Sequence, residues 1–137
     1  MRRKKVSNAR KCVYKGIMFD SKLERDRYIY LLDAQKKGFI SNLELQKSFE
    51  LIPTQPRANN NVPSISKTKN IAKTQYYADF TYLRTKDNKW VINDAKGRAM
   101  QVYKIKLKLV IYQYCGVDSW EFLETYKDSK RNNFTQI

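Results

Sequence analysis

The segment that most constrains the fold is the aromatic run QYYADFTYL at residues 75–83. Tyrosine, phenylalanine and threonine favour β-strands, so this run predicts a strand near the middle of the chain. One acid, Asp79, lies within it, and a buried carboxylate has to be paired with a cation or bound to a metal. The fold must therefore bring a compensating group to Asp79, or leave this strand at a solvent-exposed edge.

A second strand follows this run after a short polar turn. Residues 86–89 (KDNK) are polar, and the apolar run that begins at Trp90 ends in Asp94. A connection of this length joins antiparallel neighbours. Because side chains alternate between the two faces of a strand, Trp90, Asp94 and Lys96 should share one face. If the register pairs Asp79 with Asp94, two carboxylates and a lysine converge; otherwise Asp94 simply ends a strand and Lys96 is solvated.

Two elements precede this predicted hairpin. Ser21 and Glu24 form a capping-box pattern and Gly38 fits the position just after a helix, so a first helix is predicted over residues 21–37. Alternating apolar residues from 43 to 52 then predict a strand that ends before a proline. The capping box by itself explains Glu24 without any role in chemistry.

Two further elements follow the hairpin. A helix is predicted over residues 101–115, with an apolar face made of Val102, Ile105, Leu109 and Tyr112. A last strand is predicted over residues 119–123. The order of elements is therefore helix, three strands, helix, strand, and the final strand–helix–strand unit should be parallel and right-handed.

The length of 137 residues corresponds to one domain, which we place at residues 13–125. Residues 1–12 are rich in lysine and arginine and predict a flexible basic arm. Residues 56–72 predict a long polar loop, and loops of this length are often functional. Residues 126–137 form a polar C-terminal tail that should fray.

The charge balance predicts a polyanionic partner. Lysine and arginine number 28 against 13 aspartates and glutamates, which gives a formal net charge of +15. Such a surplus attracts nucleic acid, because neutralising phosphates releases their condensed counterions. No segment approaches the roughly 20 apolar residues of a membrane span, and the N-terminus lacks the apolar core of a signal peptide. We therefore expect DNA rather than a membrane as the partner, and a cytoplasmic location.

The residues that the chain lacks limit its chemistry. It has no histidine, which excludes histidine-based acid–base catalysis and catalytic triads. Cys12 and Cys115 are too few to form a structural zinc site, which usually takes four cysteine or histidine ligands. The two cysteines are also far apart in sequence, and we expect both thiols to stay reduced. Catalysis would have to use carboxylates, lysine, tyrosine and a hard cation.

Mg²⁺ fits the acids on the predicted hairpin. It takes oxygen ligands, often only one or two carboxylates, with waters and substrate phosphate completing the shell. Asp79 and Asp94 would supply those carboxylates, Ala95 a backbone carbonyl, and Glu24 a further carboxylate, directly or through water. Lys96 would hold the attacking water or stabilise charge on the phosphate. The predicted catalytic residues are therefore Glu24, Asp79, Asp94 and Lys96.

In this order, the residues resemble the motif of the PD-(D/E)XK nuclease superfamily. That superfamily has a glutamate on the first helix, an aspartate on the second core strand and (D/E)-x-K on the third, here Glu24, Asp79 and Asp94-Ala95-Lys96. Over roughly residues 13–123, the chain is also similar to a small phage-borne family with the motifs GI-x-FDSKxE, LELQ, YxADF and DxKG. The third-strand acid is Asp94, where glutamate is commoner in the superfamily. This change draws the carboxylate back by one methylene, on the order of 1.5 Å.

The resemblance implies a restriction-endonuclease-like αβββαβ core, in which helices flank a mixed central sheet. It implies Mg²⁺-dependent hydrolysis of DNA phosphodiesters, with Mn²⁺ able to substitute, by an endonuclease that forms a homodimer. It further implies a phage-encoded protein that works in the host-cell cytoplasm in DNA recombination, repair or processing, including resolution of Holliday junctions or other branched DNA. Two alternatives on the same fold stay open: a catalytically inactive DNA-binding module and an inhibitor of host proteins.

Basic and polar residues around the predicted site are candidates for holding the DNA backbone. One set lies at the starts of the two helices and along the second: Lys22, Arg98, Gln101, Tyr103, Lys104 and Lys108. The other lies in the polar loop and just after it: Lys67, Lys69 and Lys73. Contacts to phosphate position DNA without reading its sequence, so we predict weak sequence specificity. An ordinary solvated basic face is the alternative for all of these residues.

Overall fold

The computed structural model describes residues 11–137, so all but the last two residues of the predicted basic arm lie outside it. The described chain contains eight strands and two helices, in this order: β1 (Cys12–Tyr14), β2 (Ile17–Phe19), α1 (Lys22–Lys36), β3 (Ile40–Ile52), β4 (Gln55–Pro56), β5 (Asn70–Ile71), β6 (Thr74–Arg84), β7 (Lys89–Ala95), α2 (Gln101–Tyr114) and β8 (Glu121–Thr125).

The central sheet has four strands in the order β3-β6-β7-β8. β3, β6 and β7 are antiparallel neighbours, whereas β7 and β8 are parallel and joined through α2. The link between β6 and β7, residues 85–88, is too short for anything but an antiparallel return. The fold is therefore α/β with a mixed sheet, as predicted. The elements α1, β3, β6, β7, α2 and β8 follow the predicted order of helix, three strands, helix, strand.

α1 packs on one face of this sheet. Its start is capped as predicted, since the Ser21 hydroxyl accepts a hydrogen bond from the Glu24 N–H at 3.1 Å. Gly38, just past its end, takes a positive φ of 82°. Leu31 on α1 is fully buried in a cluster that includes Phe80 of the sheet. Burying a side chain such as Leu31 stabilises the fold by about 1.5–3 kcal/mol.

α2 buries a different face from the one predicted. Three residues of the predicted apolar face are exposed instead: Val102 (66%), Ile105 (53%) and Tyr112 (87%). Val110 is buried, and Tyr103, Leu109 and Tyr114 pack beside it against the sheet. This helix has two apolar stripes. The stripe that contains Tyr103 and Tyr114 is the one packed on the sheet, because tyrosine rings bury a large area while their hydroxyls stay hydrogen-bonded. Neither helix of residues 11–137 has the length and hydropathy needed to cross a membrane.

The predicted long loop at residues 56–72 is more ordered than a simple loop. Its two ends pair as β4 and β5, and the Arg57 N–H donates to the Lys69 carbonyl at 2.7 Å. Ser66 is buried, and its hydroxyl donates to the Asn70 carbonyl at 2.6 Å. These local hydrogen bonds make the segment an arm that leaves the sheet where β3 ends and β6 begins.

The sequence predicts that the C-terminal tail, residues 126–137, frays, but in the structure the tail is docked on α1. The cause is Arg27 on α1, which is fully buried. Its guanidinium donates to the Phe134 carbonyl at 2.6 Å, the Gln136 carbonyl at 2.7 Å and Asn93 Oδ1 at 2.8 Å. A buried charge has to be hydrogen-bonded, so the tail is drawn onto α1 to supply two of the three acceptors.

Candidate functional site

The central sheet forks at the two predicted aspartates. The ladder between β6 and β7 ends at the pair Phe80 and Asn93. Beyond that pair β6 continues beside β3, whereas β7 continues beside β8. Extending the antiparallel register by one residue places Asp79 opposite Asp94, at the point where the two strands separate.

The two carboxylates replace the backbone hydrogen bonds that the fork interrupts. The Asp79 N–H donates to Asp94 Oδ1 at 3.0 Å, and the Ala95 N–H donates to Asp79 Oδ2 at 3.1 Å. Both aspartates are buried, Asp94 to within 1% of full burial. The predicted register between Asp79 and Asp94 is therefore confirmed, and in each direction across the fork a backbone N–H of one strand donates to an aspartate of the other.

Asp94 keeps one oxygen that no hydrogen bond satisfies. Its Oδ2 is buried without a hydrogen-bond partner, and the nearest cation is Lys96 Nζ at 3.4 Å. Burial alone would lower the pKa of Lys96, but the charges of Asp94 and Asp79 outweigh it and raise that pKa. Lys96 is therefore a protonated ammonium, 24% exposed, at the mouth of the fork.

Glu24 approaches this site from the first turn of α1. Only half of its capping box is made, because no hydrogen bond joins its carboxylate to the Ser21 N–H within residues 11–137. Burial, followed by the charge of Asp20, raises the pKa of Glu24 to about 7. Glu24, Asp20, Gln46 and Asp79 line a cavity of about 90 Å³. The Glu24 carboxylate therefore lies at the cavity that Asp79 also lines, without a bond to the Ser21 N–H.

The acids at the fork carry an excess of negative charge. Burial, together with the charges of Asp94 and Glu24, raises the pKa of Asp79 well above its ordinary range. Lys96 and the Ala95 N–H offset only part of this effect. Like charges this close are unfavourable unless a proton or a cation neutralises one of them. A proton or a cation held between these acids would relieve the repulsion.

The donor set suits a hard cation such as Mg²⁺. The unsatisfied Asp94 Oδ2 and the crowded Asp79 carboxylate are oxygen ligands of the kind Mg²⁺ takes, and two carboxylates are enough when water and phosphate complete the shell. Within residues 11–137, no three His, Cys, Asp or Glu side chains are grouped in a metal-binding arrangement. Glu24 lies near the pair, and its predicted role as a ligand, directly or through water, stays a prediction. The Ala95 N–H donates to Asp79, and the predicted role of the Ala95 carbonyl as a ligand stays a prediction.

Most of the predicted DNA-binding residues are exposed on the surface. They lie at the start of α1, in the loop after Lys96, on the solvent side of α2 and along the β4–β5 arm: Lys22, Arg98, Gln101, Lys104, Lys108, Lys67, Lys69 and Lys73. The loop, the N-terminus of α2 and the arm all lie at the end of the sheet where the fork opens. These three regions therefore place exposed basic residues at the end of the sheet that carries the site.

Tyr103 is placed differently from the rest of that set. Its ring lies under Lys96, with Nζ 4.3 Å from the ring centre, and its hydroxyl donates to Glu124 Oε2 at 2.6 Å. Glu124 was missed by the sequence reasoning, because its place beside Asp94 depends on the parallel β7–β8 register, which no local pattern reveals. Asp20 was missed although it lies in the FDSK motif.

Gln46 was missed as well, although the LELQ motif contains it. It has a positive φ of 54° inside β3. Such a conformation is uncommon for a residue other than glycine and often marks a functional position. By continuation of the β3–β6 register, Gln46 lies opposite Asp79. The strained backbone therefore lies next to the fork.

The comparisons with known proteins identify the family but give no activity. The chain matches no curated protein and no solved structure. A family model described as "Protein of unknown function (DUF1064)" matches residues 3–130. The chain therefore belongs to the DUF1064 family.

Proposed function

We propose that the protein is a Mg²⁺-dependent DNA endonuclease. The observation that carries this proposal is the pair of buried carboxylates, Asp79 and Asp94, at the fork of the sheet, with Lys96 Nζ 3.4 Å from the unsatisfied Asp94 oxygen. A buried pair of acids beside a lysine is a poor way to stabilise a fold, since like charges oppose each other. It is a good way to hold a cation next to a phosphate.

In this proposal the acids bind the metal and Lys96 handles charge on the substrate. Asp79 and Asp94 hold Mg²⁺, with Glu24 and the Ala95 backbone as further candidate oxygen ligands. Mg²⁺ bound there would polarise a phosphate oxygen and lower the pKa of a water, and Mn²⁺ would substitute. The Lys96 ammonium then orients the attacking water or stabilises negative charge that develops on the phosphate.

The basic surface supports DNA as the substrate. The formal net charge of +15 gives a strong attraction to polyanions, and exposed lysines lie on the β4–β5 arm and on α2. Lys104 and Lys108 on α2, and Lys67 and Lys69 on the arm, would contact phosphates on either side of the scissile bond. Such contacts position the duplex, so cleavage is expected to show weak sequence preference.

The order of elements and the placement of Glu24, Asp79, Asp94 and Lys96 support membership of the PD-(D/E)XK superfamily with a restriction-endonuclease-like core. On that basis we further propose a phage-encoded enzyme of DNA recombination, repair or processing, with branched DNA such as a Holliday junction among its substrates. The proposed location is the host-cell cytoplasm.

A homodimer is proposed on the same basis, and the structure offers one surface for it. Val102, Ile105 and Tyr112 form an exposed apolar stripe on α2. Lys104 and Lys108 flank the stripe, and α2 has no acid to pair with them. Two copies that meet through this stripe would therefore bring lysines together, so their association should strengthen when salt screens the charges.

The decisive experiment is a cleavage assay with purified protein. Supercoiled, linear, single-stranded and four-way-junction DNA are each incubated with Mg²⁺, Mn²⁺ or EDTA. Cleavage should require the cation and should be lost in Asp79→Asn, Asp94→Asn and Lys96→Ala. Asp118→Asn is the matched control, because it removes the same charge from an exposed position at the opposite end of β7.

The same assay separates the proposal from its alternatives. No cleavage of any substrate, combined with unchanged DNA affinity in Asp79→Asn and Lys96→Ala, would overturn the nuclease proposal and favour an inactive DNA-binding module. Absence of both cleavage and DNA binding would favour an inhibitor that binds host proteins.

A further inference from the structure

Lys96 is held by an aromatic ring as well as by an acid. Its Nζ lies 4.3 Å from the centre of the Tyr103 ring and 3.4 Å from Asp94 Oδ2. The contact with Asp94 is an ion pair that is too long for a strong hydrogen bond. An ammonium over an aromatic face is attracted by about 0.5–2 kcal/mol, with the upper end for desolvated pairs. Tyr103 therefore supplies a second contact that determines where the ammonium lies.

The Tyr103 ring is itself held in place through its hydroxyl group. Its hydroxyl donates to Glu124 Oε2 at 2.6 Å, and the Tyr126 hydroxyl donates to Oε1 of the same carboxylate at 2.5 Å. Glu124 lies beside Asp94 in the parallel ladder of β7 and β8. The strand pair that places Asp94 therefore also places the anchor of Tyr103. Because both of its oxygens are engaged by phenols, Glu124 is not free to draw Lys96 away from Asp94.

A lysine at this position needs such a support. Its ammonium lies at the end of a flexible four-carbon chain, and fixing a side chain of this length costs about 1.5–2 kcal/mol of rotamer entropy. The ion pair and the ring contact together offset that cost. Tyr103 is partly buried between Lys96 and Glu124, whereas its neighbours Gln101 and Lys104 are exposed.

We propose that Tyr103 is a positioning residue for Lys96, and that Glu124, backed by Tyr126, holds the Tyr103 ring in place. This role rests on the proposed nuclease function, in which the ammonium has to meet a water or a phosphate at a defined position. A displacement of about 1 Å near the reacting groups can cost on the order of 100-fold in rate. Tyr103 therefore acts on the rate of cleavage through Lys96. This role differs from the direct contact with DNA that the sequence predicts for Tyr103.

The geometric part of the proposal is tested by NMR in EDTA without DNA. The methylene protons next to the Lys96 ammonium lie near the ring face, so their resonances should be shifted upfield by the ring current. Tyr103→Phe should keep this shift and Tyr103→Leu should abolish it. Tyr112→Leu makes the same change at an exposed tyrosine of the same helix and should leave the shift unchanged. Unshifted Lys96 resonances in the unmodified protein would overturn the proposal.

The functional part is tested by single-turnover cleavage and by DNA binding measured separately. Tyr103→Leu should lower the cleavage rate constant by about 10-fold to 100-fold with little change in the Kd for DNA. Tyr103→Phe should restore most of the rate, because the ring stays. Glu124→Gln should fall between them, since a carboxamide has only one acceptor oxygen for two phenols. An equal loss in Tyr103→Phe and Tyr103→Leu, or a loss of affinity that accounts for the rate, would overturn the proposal.

The two readouts separate this inference from the function on which it rests. If the unmodified protein cleaves no DNA but the shift of Lys96 depends on Tyr103 as expected, the nuclease proposal fails and the contact stands. If the protein cleaves DNA and Tyr103→Leu cleaves as fast, the positioning role fails and the nuclease proposal stands. Thermal melts of each variant, with Tyr103→Phe as the least disruptive change, exclude misfolding as the cause of a lost rate.

Discussion

Replacement of Arg27 by methionine tests the buried network that supports the site. Arg27 is fully buried and has no acidic hydrogen-bond partner within residues 11–137. Its three hydrogen bonds join α1 to Asn93 on β7 and to the carbonyls of Phe134 and Gln136 in the tail. Methionine fills a similar volume but donates nothing, so the substitution removes the bonds without opening a large cavity.

The expected cost follows from those three contacts. Hydrogen bonds that involve a charged group contribute about 1.5–3 kcal/mol each. The two tail carbonyls can recover part of this from water once the tail detaches, but Asn93 Oδ1 is fully buried, and leaving it unsatisfied costs about 1–3 kcal/mol. Relief of the desolvated charge offsets some of the loss. We therefore expect the free energy of unfolding to fall by about 3 kcal/mol, or the Tm by on the order of 10 °C.

Urea denaturation of the metal-free protein measures this loss, with Arg25→Met as the matched control. Arg25 lies on the same helix, but it is partly exposed and pairs only with its neighbour Asp26, so its loss should change stability much less than the loss of Arg27. Deletion of residues 134–137 should also be clearly destabilising, because it leaves the buried Arg27 guanidinium with Asn93 as its one remaining acceptor and removes the packing of Ile137 against the core. A loss under about 1 kcal/mol in Arg27→Met would refute the reasoning that the tail is docked by this buried charge.

Three further predictions concern the site and the surface. Asp94→Asn should abolish cleavage while DNA binding, measured by fluorescence anisotropy, stays the same or tightens because a negative charge near phosphate is gone; joint loss of both would indicate a folding role for Asp94. Because the pKa of Glu24 is raised from 4.5 to about 7, the folded protein binds the extra proton, so this stabilisation is present below pH 4.5 and lost as the pH rises through 7. Glu24→Gln should therefore flatten the fall in stability between pH 5 and pH 7.5 in EDTA, by on the order of 1 kcal/mol after allowance for its partial exposure; an unchanged pH profile would contradict the assignment. Ile105→Glu should give a monomer in analytical ultracentrifugation at salt concentrations where the unmodified protein dimerises, and a dimer that survives this change would have to use another surface.

The strands and the hairpin register were predictable because their signals are local. The alternation around Asp94 and the short link from Asp79's strand are properties of neighbouring residues, and both determine which side chains face each other. The helix that carries Glu24 was predictable for the same reason, since its cap at Ser21 and the glycine after its end are sequence-adjacent signals.

The failures share the opposite property. The buried face of α2 depends on what the sheet offers it, so the periodicity of Val102 and Ile105 could not decide between two apolar stripes. The docking of the tail depends on Arg27, which lies more than one hundred residues earlier in the chain. Glu124 depends on the parallel register of β8, which forms only after α2 has crossed the sheet. Each of these features depends on contacts between segments that are far apart in the sequence, and a pattern within one segment cannot reveal such contacts.

The fork in the sheet gives Asp79 and Asp94 a structural role in addition to their proposed chemical one. Where two paired strands diverge, backbone N–H groups lose their partners, and an aspartate on each strand can accept one of them. Asp94 accepts from Asp79 and Asp79 accepts from Ala95, which leaves one oxygen of each carboxylate free of hydrogen bonds within residues 11–137. The same pair of side chains thus closes the backbone and offers two oxygens to a cation. The two aspartates, one inside an aromatic strand and one at a strand end, therefore satisfy the backbone at the fork and supply the carboxylates of the proposed metal site.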